Sequence, residues 1–144
     1  MDNKTMMQYF EWYLPENCLF WERCRQQASR LKEDGFDMMW LPPAYKGASG
    51  ARSVGYDVYD TYDLGEFDQK DTIATKYGTK EEYLNAVKAL QEQGIEVLAD
   101  VVLNHMMGAD ELETVMAEET AGTNREQEIS ELQGCMDQIY FSGT

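Results

Sequence analysis

The run IEVLADVVLNH, Ile95 to His105, constrains the chain more than any other stretch. It is almost continuously apolar and rich in Val and Ile, carries one carboxylate, Asp100, inside it, and stops abruptly at Asn104 and His105. A segment of this kind reads as a buried parallel strand that delivers polar groups at its tip. A carboxylate inside such a run is costly unless it is paired or hydrogen-bonded. Asp100 therefore needs partners, either as a structural residue tying down neighbouring loops or as part of a site. His105, the single histidine of the sequence, has the same two readings. It is a satisfied structural histidine, or a group placed where parallel α/β folds keep their chemistry, just beyond the C-terminal end of a strand.

Two more strands and two helices precede this run. TMMQYF, residues 5 to 10, reads as a strand, and the aromatic cluster Tyr9, Phe10, Trp12 and Tyr13 is too dense for a solvated turn, so part of it packs or binds something. Asn17 is the expected N-cap of a helix in which Phe20, Cys24, Ala28 and Leu31 recur at helical spacing up to Gly35. FDMMWL, Phe36 to Leu41, is the next strand, stopped by Pro42 and Pro43. Thr79 and Glu82 form a capping box for a second helix, with Tyr83, Val87 and Leu90 inside and Gly94 closing it. Beyond His105 the chain turns polar and acidic, with short alternating segments near Leu112 to Met116 and Met136 to Phe141 as candidate strands.

The order strand, helix, strand, helix, strand is that of parallel βαβ units. Each helix returns to its next strand through a tight turn at Asp34-Gly35 or Gln93-Gly94, whereas the connections after Leu41 and after Asn104 are long. Long connections at the C-terminal ends of parallel strands, opposite tight turns, are the pattern of a (β/α) barrel whose site is built from its βα loops. An open doubly wound sheet also keeps ligands at that end. No glycine-rich phosphate loop follows any strand, which leaves the nucleotide-binding version without support.

Composition removes other classes. The excess of 27 acidic over 12 basic residues gives a formal charge of −15, which repels nucleic-acid phosphates and anionic membranes. Cys18, Cys24 and Cys135 follow no disulfide or zinc spacing and read as reduced thiols, buried as small hydrophobes. The N-terminus lacks the basic start and apolar core of a signal peptide, and no apolar run is long enough to span a membrane. The expectation is a soluble cytoplasmic protein.

In the loop after the second strand, VGYDVYDTYDLGEF, Tyr56, Tyr59 and Tyr62 recur every three residues, each followed by Asp57, Asp60 or Asp63. Flat rings beside carboxylates suit sugars, which offer an apolar face and a rim of hydroxyls. The same residues also suit a loop pinned down by its own aromatic rings. An EF-hand is excluded, since D-x-D-x-D-G with a distal Glu is absent.

MQYFEWYLP, WLPPAYKG, VGYDVYDTYDLGEF, TKYGT and DVVLNH occur in the same order, and at compatible spacing, as in the N-terminal part of bacterial α-amylases. The chain thus resembles the family of retaining α-glucan hydrolases, its liquefying and cytoplasmic members above all. The resemblance implies an α/β fold, with residues 1–105 forming about three strands of a (β/α)8 TIM barrel and residues 106–144 starting an inserted β-rich domain. It implies an endo-acting hydrolase of α-1,4-glucosidic bonds in starch, glycogen and maltooligosaccharides, monomeric at full length. A noncatalytic α-glucan-binding protein and a glucosyl-transferring enzyme of the same family are the alternatives.

Residue by residue, the resemblance implies that Tyr56 stacks on the glucose next to the scissile bond and that His105 hydrogen-bonds the same sugar. Asp100 organises that subsite from below, and Gln8 lies near it. Asn104 corresponds to an oxygen ligand of a structural calcium between barrel and inserted domain. The family's nucleophilic Asp, acid/base Glu and third Asp sit on the fourth, fifth and seventh strands, and have no counterpart in these residues. Retaining hydrolysis needs two carboxyls about 5 to 5.5 Å apart, so the 144 residues alone are expected to be inactive.

Overall fold

The computed structural model describes residues 3–111, 123 and 124 in full, and the backbone of 113–121, 125–136 and 138–140. The chain runs through β1 (Met6–Gln8), α1 (Phe20–Glu33), β2 (Met38–Leu41), β3 (Lys46–Gly47), β4 (Val58–Asp60), α2 (Lys80–Glu92), β5 (Glu96–Ala99) and β6 (His105–Met107). β7 (Glu113–Ala121), β8 (Asn124–Met136) and β9 (Gln138–Tyr140) follow. The three apolar runs form one parallel sheet in the order β1-β2-β5, with Met7, Met39 and Val97 in one row and Gln8, Trp40 and Leu98 in the next. Because successive side chains alternate between faces, the first row joins the core with Leu41, and the second lies on the opposite face.

Both helices lie on the core face. Trp21, Cys24, Ala28 and Leu31 of α1 and Ala86 and Leu90 of α2 are buried there with Met39, Leu41 and Ile95, and Tyr83 and Val87 pack against them half-buried. Cys24 is a buried small hydrophobe, its thiol pushed up to about 12 by burial. Cys18 is free and half-buried, while the side chain of Cys135 lies outside the described residues. The Thr79 capping box forms, with Thr79 N donating to Glu82 Oε2 at 2.8 Å. Asn17, in contrast, is not the cap of α1. Leu19 occupies that position without a side-chain bond, and Asn17 Oδ1 instead accepts from Leu19 N at 3.2 Å. One free N–H of the first turn is satisfied from a distance, by Trp21 N donating to Tyr77 O at 3.0 Å.

The run from Ile95 to His105 is not one strand. Its ladder stops where Ala99 faces Leu41, because Pro42 and Pro43 follow in the neighbouring strand and have no N–H to give. Val101 and Leu103 are then 56% and 74% exposed, and the chain resumes pairing at β6, antiparallel to β9. β7 and β8 form a second antiparallel pair, from Glu113↔Met136 to Ala121↔Asn124. These strands extend well beyond the two short segments expected; Leu112, Asp137 and Phe141 of those segments lie outside the described residues.

Residues 42–79, between β2 and α2, hold little regular structure beyond the short β3–β4 pair and are organised by a buried ion pair. Lys46 Nζ lies 3.4 Å from Asp63 Oδ2, both side chains fully buried. The ammonium also donates to the carbonyls of Thr72 and Ile73 at 2.6 Å and Phe67 at 3.2 Å. Asp63 Oδ1 accepts from the amides of Gly65, Glu66 and Phe67. Burial would push the Asp63 carboxyl up, but these amides and the Lys46 charge outweigh it and hold the group below the usual carboxylate range.

Lys46→Met should therefore cost about 3–5 kcal/mol, the penalty for leaving a buried charge without its partner. Asp63, with its pKa lowered by folding, contributes stability that is present above about pH 4 and lost as the pH falls through its folded value. The gap between wild type and Lys46→Met in urea denaturation should thus be full at neutral pH and shrink in acid. A gap below about 1 kcal/mol at pH 7 would show that the pair is dispensable.

Candidate functional site

The sheet's C-terminal end gathers residues from three separate stretches. Asp100, one residue beyond β5, accepts two hydrogen bonds on Oδ2, from Tyr56 Oη at 2.7 Å and from Trp40 Nε1 at 3.2 Å. These are the partners that a carboxylate in this apolar run requires. Tyr56 is delivered by the long loop, where Gly55, at φ 96°, presses against Pro43: a Cβ there would lie 2.6 Å from the proline ring. The left-handed backbone and the close approach both exclude a side chain at that position.

His105 joins the group through Nε2, which lies 2.8 Å from the Tyr56 carbonyl. A carbonyl only accepts, so the contact places the proton on Nε2. The ring of Tyr56 is stacked with Trp12, centroids 5.9 Å apart and planes within 2°. Phe10 meets Trp40 edge-on at 5.5 Å. The N-terminal aromatic cluster thus divides: Tyr9 and Phe10 pack against the core, Trp12 lies against Tyr56 yet is 58% exposed, and Tyr13 is 87% exposed.

Tyr56, Asp100 and His105 are therefore brought together, and Trp40 and Trp12 complete the group. Neither tryptophan was singled out for the site from the sequence, although Trp40 ends an apolar strand and Trp12 stands in the aromatic cluster. Tyr45 was also missed; its hydroxyl accepts from Val102 N at 2.5 Å and fixes the turn after Asp100. Gln8 shares a row with Trp40, but its amide donates to the Phe10 carbonyl at 3.0 Å, a local bond that does not reach the group. Asn104 is exposed. It offers one amide oxygen where calcium takes six to eight, and among the described residues no three His, Cys, Asp or Glu side chains gather to hold a metal.

The tyrosine and aspartate series of the loop is mainly structural. Asp57 accepts from Ser49 N and Ser53 Oγ, Asp60 from Tyr62 N and Gln69 Nε2, and Asp63 from the three amides already described. Tyr62 is exposed. Only Tyr56 is turned to the site. Burial first, then the hydrogen bond and charge of Asp100, push its phenol well above the ordinary range, and Tyr45 is raised by burial with Asp100 adding to it. At neutral pH Tyr56 therefore presents a neutral phenol, its hydroxyl anchored on Asp100 and the His105 ring beside it.

Residues 25–129 match the family described as Alpha amylase, catalytic domain. The chain belongs to the α-amylase family. It is 53% identical over 128 residues to the glucan 1,4-alpha-maltohexaosidase of Bacillus sp. (strain 707), across 89% of this chain and 24% of that one. It is 50% identical over 135 residues to the cytoplasmic alpha-amylase of Escherichia coli (strain K12), across 94% of this chain and 27% of that one. The fold also matches an alternansucrase in complex with isomaltotriose, at a TM-score of 0.76 and 24% identity, over 93% of this chain and 13% of that chain. The chain spans about a quarter of the length of the curated relatives it matches. The parallel sheet and its two crossover helices are the N-terminal strands and helices of the (β/α)8 barrel of α-amylases.

The hydrogen bond between Tyr56 and Asp100 is open to a direct test. Asp100→Asn removes the charge that opposes phenolate formation, so the Tyr56 pKa should move down toward about 10, its ordinary value. Ultraviolet difference titration, with Tyr56→Phe as the assignment control, should show one tyrosine ionising at lower pH in the variant. An unshifted titration would dissolve the pairing.

Proposed function

We propose that these residues belong to an α-amylase that cleaves internal α-1,4-glucosidic bonds of starch, glycogen or maltooligosaccharides with retention, and that the Tyr56–Asp100–His105 group forms part of a sugar subsite. The observation that carries this reading is that group, set at the C-terminal end of the parallel sheet of an α-amylase-family chain. A phenol ring held by Asp100 offers a flat face to the apolar side of a glucose, and the imidazole beside it can hydrogen-bond a hydroxyl at the rim. Asp100 is committed to holding Tyr56 and Trp40 and does not serve as a nucleophile. The two carboxyls that retaining hydrolysis needs are proposed to come from parts of the enzyme outside these 144 residues.

A noncatalytic α-glucan-binding protein is the second reading, because the paired rings of Trp12 and Tyr56 could hold a sugar whether or not hydrolysis follows. A glucosyl-transferring enzyme of the same family would use the same platform. The likeness to the cytoplasmic alpha-amylase of Escherichia coli supports a cytoplasmic location, and a monomeric full-length enzyme is part of the same proposal. Nucleic acid and membrane partners are disfavoured by the charge of −15.

In the full-length protein, His105→Ala should lower kcat/KM on amylose about 10- to 1000-fold, equivalent to about 1.5–4 kcal/mol of lost transition-state hydrogen bonding. Wild-type kinetics in a folded variant would return His105 to a structural role. Release of no reducing sugar by the full-length protein, with maltooligosaccharide still bound, would favour the binding protein, and transfer products would favour the transferase. For calcium, we propose that Asn104 contributes one oxygen to a structural site completed elsewhere in the enzyme. Calorimetry on the 144-residue chain should then find no stoichiometric micromolar site, while a chelator should lower the melting temperature of the full-length protein. An unchanged melting temperature would remove the metal.

A further inference from the structure

Tyr56 and His105 come from segments far apart in sequence and are in contact, with His105 Nε2 2.8 Å from the Tyr56 carbonyl. A second joint closes three residues further along each segment. Lys70 Nζ donates to Gly108 O at 2.8 Å and to Asp110 Oδ1 at 2.9 Å, while Tyr59 Oη donates to Asp110 Oδ2 at 2.7 Å. The ammonium also lies 4.0 Å from the centroid of the Tyr59 ring, a cation–π contact. Lys70 therefore grips both sides at once: the ring of Tyr59 in β4, and the chain just after His105. We propose that Lys70 is a positioning residue for the sugar-binding pair, holding the segment that carries His105 against the loop that carries Tyr56; this rests on the glucan-hydrolase reading above.

The backbone at Lys70 supports a role for its side chain. Gln69 and Thr72 exchange N–H···O bonds of 3.1 and 3.3 Å, closing a two-residue turn with Lys70 at φ 53° and Asp71 at φ 62°. Asn-Gly or Gly-Gly fill such a turn without strain, and Lys does not. Glycine at position 70 would relax the backbone, so what lysine adds there is the ammonium. The surroundings are close-fitting on both sides. A Cβ on Gly50 would collide with the Lys70 carbonyl, and one on Gly108, at φ 70°, would lie 2.5 Å from Ala48 Cβ. The ion pair with Asp110 is solvated, Asp110 being 71% exposed, and such pairs add little to stability. Its effect is geometric, as is that of the Gly108 carbonyl bond beside it.

This arrangement separates activity from stability. In the full-length enzyme, Lys70→Gly removes the grip and relieves the strained turn. Its melting temperature should hold or rise, while kcat/KM on a maltooligosaccharide falls about 5- to 50-fold, carried by kcat, since misplacement of groups acting on the reacting sugar weakens the transition state more than the ground state. Lys70→Arg keeps the charge, a donor to Asp110 and the contact with the Tyr59 ring, and should stay within about threefold of wild type. In a His105→Ala background, Lys70→Gly should cost clearly less than in the wild type, because its partner in the effect is gone. Kinetics for Lys70→Gly equal to those of an active wild type would overturn the proposal. So would a loss of activity that tracks a fall in melting temperature and adds fully to His105→Ala, which would make Lys70 a structural prop. If the wild-type enzyme cleaves no α-glucan at all, the functional reading fails first and the positioning role falls with it.

Discussion

The long loop between β2 and α2 depends on the Lys46–Asp63 pair, and the site depends on that loop. A segment with so little regular structure leaves its backbone polar groups without ladder partners, and burying them unpaired is costly. Lys46 answers this with three carbonyl contacts and Asp63 with three amide contacts, besides the bond from Lys46 N to Asp63 O at 2.7 Å. Two apolar side chains of similar volume would fill the same space and take a partner from each of these backbone groups, of which, among the described residues, only Thr72 O keeps another, the Gln69 amide at 3.1 Å. Buried ion pairs often lose to hydrophobic replacements. This one is different in kind, because its charged ends serve the main chain as much as each other.

From this anchor the loop is tied to the helix layer and to the sheet. Tyr77, buried, donates its hydroxyl to Val54 O at 3.0 Å, two residues before Tyr56, while its own carbonyl receives Trp21 N at the start of α1. Gly65 lies so close to Gly78 that a Cβ would meet its carbonyl oxygen at 2.7 Å, which brings the two ends of the 65–78 segment together just before α2. The loop that carries Tyr56 is thus fixed by contacts with the start of α1, the start of α2 and Pro43, none of them next to Tyr56 in sequence.

How much of this was legible in the sequence follows from the range of the contacts involved. The strand and helix order, the capping box at Thr79 and the buried faces were read from periods of two and of 3.6, which are local. The early end of β5 was not, because the two prolines that stop it belong to the neighbouring strand. Asn17 has the chemistry of a cap, but the actual partner of the first turn, Tyr77, is far away in sequence. β7 and β8 were underestimated since Glu and Gln, poor strand formers, dominate Asn124 to Gln133. Lys46 was invisible, as lysine almost never reads as a fully buried residue. At the site, resemblance to a family named Tyr56, Asp100 and His105, and the geometry joins them. Trp40 and Tyr45 emerge only when the strand ends are seen side by side.

The manner in which Asp100 is held bears on what such a site can do. Both groups that fix it, the Trp40 indole and the Tyr56 phenol, are neutral donors. They set its position and lower its desolvation cost without cancelling its charge, unlike Lys46 with Asp63. In glycoside cleavage, positive charge develops on the sugar ring as the bond breaks. A uniformly charged surface would be screened within about 8 Å at physiological salt, but a fixed carboxylate behind the stacking ring acts at shorter range. A cation in place of either donor would hold Asp100 more tightly and forfeit that attraction. On the glucan-hydrolase reading proposed above, neutral partners would let one residue serve as both structural peg and source of field, and the two readings that the sequence leaves open for Asp100 would be compatible.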